Sequence, residues 1–165
     1  MIATTARQNR AVRWRGRMAD AALVAFVLGP LAAPLLYGWG SSIPRTVSGI
    51  IYTMGTFVCP QPTHGLALYD GEIMGVCMRC YGTVLGLLAA RLLYAADGGV
   101  GRVWLRWRGL RALPLFAALI FAYAAEYAGQ VAGLWRFDNL VVTIAGLITG
   151  AGLGLMFHPL LQDDG

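Results

Sequence analysis

The chain has no lysine: all thirteen of its basic residues are arginine, set against eight acids and two histidines, for a net charge of +5 over 165 residues. Charged residues make up 13% of the total, about half the roughly 25% of an ordinary soluble domain. With 58% hydrophobic residues, a water-soluble fold of this length could not hide its apolar surface, and a polytopic membrane protein is expected instead. A surplus of positive charge in a soluble protein would suggest nucleic acid. Here the arginines cluster beside apolar segments, where they orient a chain in a bilayer, so no nucleic-acid partner is expected. There is no P-loop, no dinucleotide glycine fingerprint and no hydrolase triad, which removes those enzyme classes. Cysteine is scarce too. All three lie between Cys59 and Cys80, in "CPQPTHGLALYDGEIMGVCMRC".

What is abundant is long apolar runs. A basic segment, residues 1–18, precedes "ADAALVAFVLGPLAAPLLYGWG" (19–40), long enough to span once and carrying Pro30 and Pro34, which should kink it or end its regular hydrogen bonding early. A cleaved signal peptide is the rival reading of this start, although no clear small-residue cleavage site follows. Residues 41–74 hold an apolar stretch of about half a span, Val47–Val58, read as an interfacial or re-entrant helix, and then the cysteine segment as a loop. Three further spans follow at about 75–96, 112–134 and 140–161, with a basic, tryptophan-containing connector between the first two and a short tail, 162–165. The expected fold is therefore all-α: an integral membrane four-helix bundle forming one domain over 19–161, with a short extra helix on its outer face.

Four spans place both termini on one side. Arg7, Arg10, Arg13, Arg15, Arg17, Arg102, Arg106, Arg108 and Arg111 share that side, with Arg91 near it, whereas Arg45, Arg79 and Arg136 lie on the other. The positive-inside rule makes the arginine-rich side cytoplasmic. Trp14, Trp104 and Trp107 then fall at the inner boundary and Trp39 and Trp135 at the outer one, as interfacial aromatics should. The cysteines face outward from the cytoplasmic membrane.

Cys77 and Cys80, three apart at a helix start, present both sulfurs on one helical face. The positive end of the helix favours the thiolate form, and Cys59 returns to the same place from the preceding short helix. Three readings stand. A tetrahedral site of Cys59, His64, Cys77 and Cys80, with spacing C-x₄-H-x₁₂-C-x₂-C, would hold zinc or iron. A thiol–disulfide enzyme would resemble, in arrangement only, the quinone-coupled disulfide-forming oxidoreductases and the vitamin K epoxide reductase group, with a quinone as cofactor; those usually carry two cysteine pairs, and this chain has one pair and a single. A structural disulfide would leave one thiol over.

Glu126 lies in the outer half of the third span, where an ionised group is costly and marks a functional candidate. It could pair with Arg79 or Arg136, or take up a proton beside a quinone. Gln130, Asp138 and Asn139 lie at the same level, and His158 is interfacial at the opposite end. Gly82 and Gly86, Gly129 and Gly133, and Gly146, Gly150 and Gly154 recur at four-residue intervals, a spacing that lets membrane helices approach closely, either within the bundle or against other membrane subunits. In the latter case the protein would be an accessory subunit of a larger complex.

"CPQP" and "VCMRCYGTVLGLL" resemble a family of small predicted bacterial and archaeal membrane proteins classed as a domain of unknown function. Its pattern falls here on Cys59, Gln61 and Pro62, then Cys77, Arg79, Cys80 and Gly82, then Asn139 and Gly146. The resemblance implies a site of three cysteines supported by Gln61, Arg79 and Asn139, without implying an activity. Pro60 stands where many relatives have His, and His64 where they usually have Arg. The fourth ligand is then His64, water, Asp70, Glu72 or an external group.

Overall fold

The computed structural model describes residues 2–96 and 112–161. The connector with its arginines and tryptophans, the tail 162–165, and the side chains of residues 1–16, 112, 113, 115 and 157–161, His158 among them, lie outside the described residues. The described chain is mostly helical: α1 (Ile2–Tyr37), α2 (Ser42–Val58), α3 (Met78–Ala96), α4 (Ala112–Val131) and α5 (Asn139–Leu161). Two described helices contain windows long and apolar enough to cross a membrane, Arg17–Tyr37 of α1 and Asn139–Met156 of α5.

Neither proline stops α1, which runs to Tyr37 with Pro30 and Pro34 inside it. Pro34 has no N–H to give the carbonyl four residues back, at Pro30. That carbonyl is taken up by another segment, since the Gly75 N–H donates to it at 3.5 Å. A Ser48 hydroxyl donating to the Ala33 carbonyl, at 2.7 Å, binds α2 to the same stretch of α1. Between α1 and α2 lies a cavity of about 590 Å³ lined by apolar side chains such as Phe26, Pro30, Ile51, Met54, Val58 and Val76.

The main packing contact is between α3 and α5, and small residues allow it. A Cβ at Gly82 would fall on the Thr143 carbonyl, one at Gly86 on the Leu147 carbonyl, one at Gly146 on the Arg79 carbonyl and one at Gly150 on the Thr83 carbonyl. These glycines face each other backbone to backbone. The glycines of α4 have other work. Gly129 makes room for the Trp135 ring, and Gly133 ends the helix at φ +73°, with the Gly133 N–H donating to the Gln130 carbonyl and the Leu134 N–H to the Gly129 carbonyl, the paired bonds of a Schellman stop. Asp138 caps α5, its Oδ1 accepting from the N–H groups of Leu140 and Val141 at 2.9 and 3.0 Å.

The cysteine segment is more ordered than a plain loop. It holds a 3₁₀ turn, Pro62–His64, and two short antiparallel strands, β1 (Ala67–Tyr69) and β2 (Glu72–Ile73). Asp70 and Gly71, both at positive φ, make the tight connection that Asp-Gly favours.

Candidate metal centre

Three local features bring the cysteines together. Cys59 is the residue on which α2 ends, in an extended conformation with its N–H on the Gly55 carbonyl. The hairpin then turns the chain back along α2, where the Tyr52 hydroxyl donates to the Ile73 carbonyl at 2.7 Å. Gly55 lets the returning strand pass against the helix, because a Cβ there would land on the Gly75 carbonyl. Two residues later Cys77 stands at the mouth of α3, and Cys80 lies one turn inside it.

The three sulfurs lie within 4.8 Å of one another. Cys59 and Cys77 are 2% and 0% exposed, Cys80 is partly exposed, and all three are free thiols. Thiolates around a tetrahedral zinc at ~2.3 Å would stand about 3.8 Å apart, so closing on an ion asks for shifts of about 1 Å at most. The Cys77 N–H donates to Cys59 Sγ at 3.2 Å. The thiols of Cys77 and then Cys80 also hydrogen-bond to that sulfur, with the Cys77 and Gln61 N–H groups adding to them, and together they outweigh burial and hold the Cys59 thiol far below the ordinary range. That direction is the one metal binding asks for, since the thiolate is the ligand form.

Beside the sulfurs lies a buried polar cluster built around Arg79, whose side chain is 1% exposed. Its Nη1 donates to Gln61 Oε1 at 3.4 Å, and its Nη2 stands 2.9 Å from Glu126 Oε2 and donates to Gln130 Oε1. Gln130 Nε2 donates in turn to Glu126 Oε1. The guanidinium carbon lies 5.0 Å from the centre of the Tyr127 ring and 5.9 Å from that of Tyr123, close enough for cation–π attraction. Two buried atoms lack a hydrogen-bond partner among the described residues, Arg79 Nε and Glu126 Oε2. The carboxylate oxygen still has the Arg79 charge at ion-pair distance, although the angle is poor. Nε–H has no such compensation.

Of the residues the sequence singled out, the structure gathers Cys59, Cys77 and Cys80 at one point and places Gln61, Arg79, Glu126 and Gln130 in one network. His64 stands apart: its ring packs on Phe137 at 4.4 Å between centroids, and the sulfurs are the only His, Cys, Asp or Glu donors among the described residues that gather at this point. Asp70 is at the exposed hairpin turn, Glu72 is in β2, and Asn139 is exposed in the first turn of α5. Tyr123 and Tyr127 were not foreseen. They lie on the same face of α4 as Glu126 and Gln130, at the three- and four-residue spacing that gives one helical face, and that spacing was the available signal.

A family of predicted membrane proteins, DUF2085, matches residues 59–156, more than half of the chain, from Cys59 through most of α5. No curated protein and no solved structure matches the chain.

Proposed function

The chain belongs to the DUF2085 family of predicted membrane proteins, and on that premise we propose that it is an integral membrane protein that binds a metal ion through Cys59, Cys77 and Cys80. The observation that carries this reading is the gathering of three free, largely buried sulfurs within 4.8 Å. Zinc suits such a soft donor set, and iron is the second choice. The helices α1, α3, α4 and α5 are read as four spans of one membrane domain, 19–161, with α2 and the hairpin as its outer cover. The distribution of arginines supports cytoplasmic termini and an outward-facing site. Elemental analysis of protein purified in mild detergent without chelator tests the metal, with Cys80→Ser as control. About one zinc or iron per chain, absent from the control, is the expected result; no metal in either would sink the reading.

A thiol–disulfide function is the second reading, favoured by the apolar cavity whose wall includes Val58 and Val76, the residues immediately before Cys59 and Cys77. Two thiols would join as a disulfide, releasing two electrons and two protons to a membrane quinone, which leaves as the quinol. Thiol counting before and after addition of a soluble quinone separates the two readings. A loss of two thiols per chain supports the second, and an unchanged count removes it.

A further inference from the structure

The metal reading leaves a question that the Arg79 cluster answers. A tetrahedral ion has four positions, and sites closed by four protein donors are structural, while those with three keep a place for water or a reactant. Here three sulfurs converge and His64 is held against Phe137. Arg79 stands between Cys77 and Cys80 in the chain. Its Nη1 bonds the side chain of Gln61, two residues from Cys59, so the guanidinium is tied to the segment of Cys59 as well as to the turn that carries Cys77 and Cys80. Nη2 is taken by Glu126 and Gln130. Nε–H is fully buried and has no acceptor among the described residues, which is rare for a buried donor and calls for a partner.

We propose that the ion on Cys59, Cys77 and Cys80 carries one exogenous ligand, water or a small monoanion bound through oxygen or nitrogen, which accepts a hydrogen bond from Arg79 Nε–H. This rests on the metal reading. Cys80, the partly exposed member, marks the side on which the ligand exchanges. A dication on three thiolates carries one negative charge, and Glu126 offsets Arg79. The site therefore tolerates at most one more negative charge, and only with the guanidinium close by. Arg79 is in this account the specificity-determining residue.

Cobalt(II) loading of the detergent-purified full chain tests it, with azide as the probe ligand. Azide should shift the visible ligand-field bands saturably while the thiolate-to-cobalt charge-transfer absorption persists. Arg79→Lys, which keeps the charge but loses the planar fork, should weaken azide binding to the cobalt-loaded protein about tenfold or more. Glu126→Gln should act in the opposite sense, tightening azide binding by roughly threefold, because the guanidinium charge is no longer shared; this second variant keeps the test open if the first does not fold. Bands indifferent to azide in the wild type would show a closed site and overturn the inference while leaving the metal reading intact. Azide affinity unchanged in either folded variant would remove Arg79 from it. Failure of the wild type to take up cobalt would remove the metal reading, and this inference with it.

Discussion

Two arginines twelve positions apart on α3 each meet an acid from another helix, and they do so in opposite ways. Arg91, 22% exposed, holds Asp20 of α1 with a two-pronged grip, Nε to Oδ1 at 2.7 Å and Nη2 to Oδ2 at 2.9 Å. Arg79, 1% exposed, offers Glu126 of α4 only Nη2, divides its other nitrogens and leaves Nε without an acceptor. A pair whose only role is to clasp two helices should turn two nitrogens of the fork on the two carboxylate oxygens, as Arg91 does. An arginine that is better buried yet has an orphaned donor, set between two cysteines in the chain, is arranged for something besides clasping. The low-dielectric surroundings that make its ion pair strong also make its missing bond costly.

The sharpest way to separate the two pairs is to remove the buried arginine. Arg79→Gln leaves Glu126 without its counter-charge, and breaking one partner of a buried pair costs about 3–5 kcal/mol. Thermal unfolding in detergent should show the largest loss of any single change considered. Restoring an apolar pair, Arg79→Met with Glu126→Leu, should recover much of that stability but not metal-dependent ligand binding. If Arg79→Gln unfolds at the wild-type temperature, the contrast with Arg91 has no energetic meaning.

Next in size is loss of the ion. Cys77→Ser should abolish metal binding and with it the stabilisation that the ligand supplies, about 2.7 kcal/mol at a hundredfold excess over the dissociation constant. The effect should be local. Hydrogen exchange should rise at the first turns of α3 and at residues 59–62, while the Arg91 end stays protected. Acidity offers a parallel measurement. Because the cysteine ligands must shed their protons, binding a dication releases protons, so affinity should climb as pH rises and fall as pH drops. A flat profile would mean that the sulfurs are not the ligands.

Between the two arginines the glycine seam brings the backbones of α3 and α5 into contact. A methyl at Gly86 would meet the Leu147 carbonyl of α5, so Gly86→Ala forces two backbones apart at a cost of about 1–3 kcal/mol. Because the seam runs between the two clasps, the loss should loosen both ends of α3 equally by hydrogen exchange, unlike Cys77→Ser. Loosening of one end alone would show that the seam does not join them.

How much of this could be read in advance follows from the range of each interaction. The cysteine cluster was legible because a three-residue interval on a helix fixes two sulfurs on one face, and the seam because four-residue glycine intervals do the same for backbones. The hairpin was missed although Asp70-Gly71 carries the turn chemistry for it; strands of three and two residues are too short to show alternation. For Glu126 the sequence offered Arg79 and Arg136, and local spacing has no means of choosing between positions 47 and 10 residues away. His64 had a plausible ligand spacing, but spacing carries no information on the ring of Phe137, 73 residues on. The placement of the helices across a bilayer rests on composition and arginine distribution, which act through the membrane rather than through contacts within the chain.

The smallest expected effect closes the comparison from its other side. Asp20→Asn removes the charge from the Arg91 clasp but leaves an acceptor oxygen, and with Asp20 42% exposed solvent screening limits the loss to about 1 kcal/mol. Metal content and azide response should be unchanged, since Arg91 lies about 18 Å along the helix from Arg79 at ~1.5 Å per residue. Salt should separate the pairs as well. Raising ionic strength should weaken the Asp20–Arg91 contribution, which lies within reach of counter-ions, and leave the Arg79 end unaffected. If Asp20→Asn instead matched Arg79→Gln in its cost, the exposed pair would be doing the work assigned to burial, and the orphaned Nε–H would lose its standing as the mark of a site.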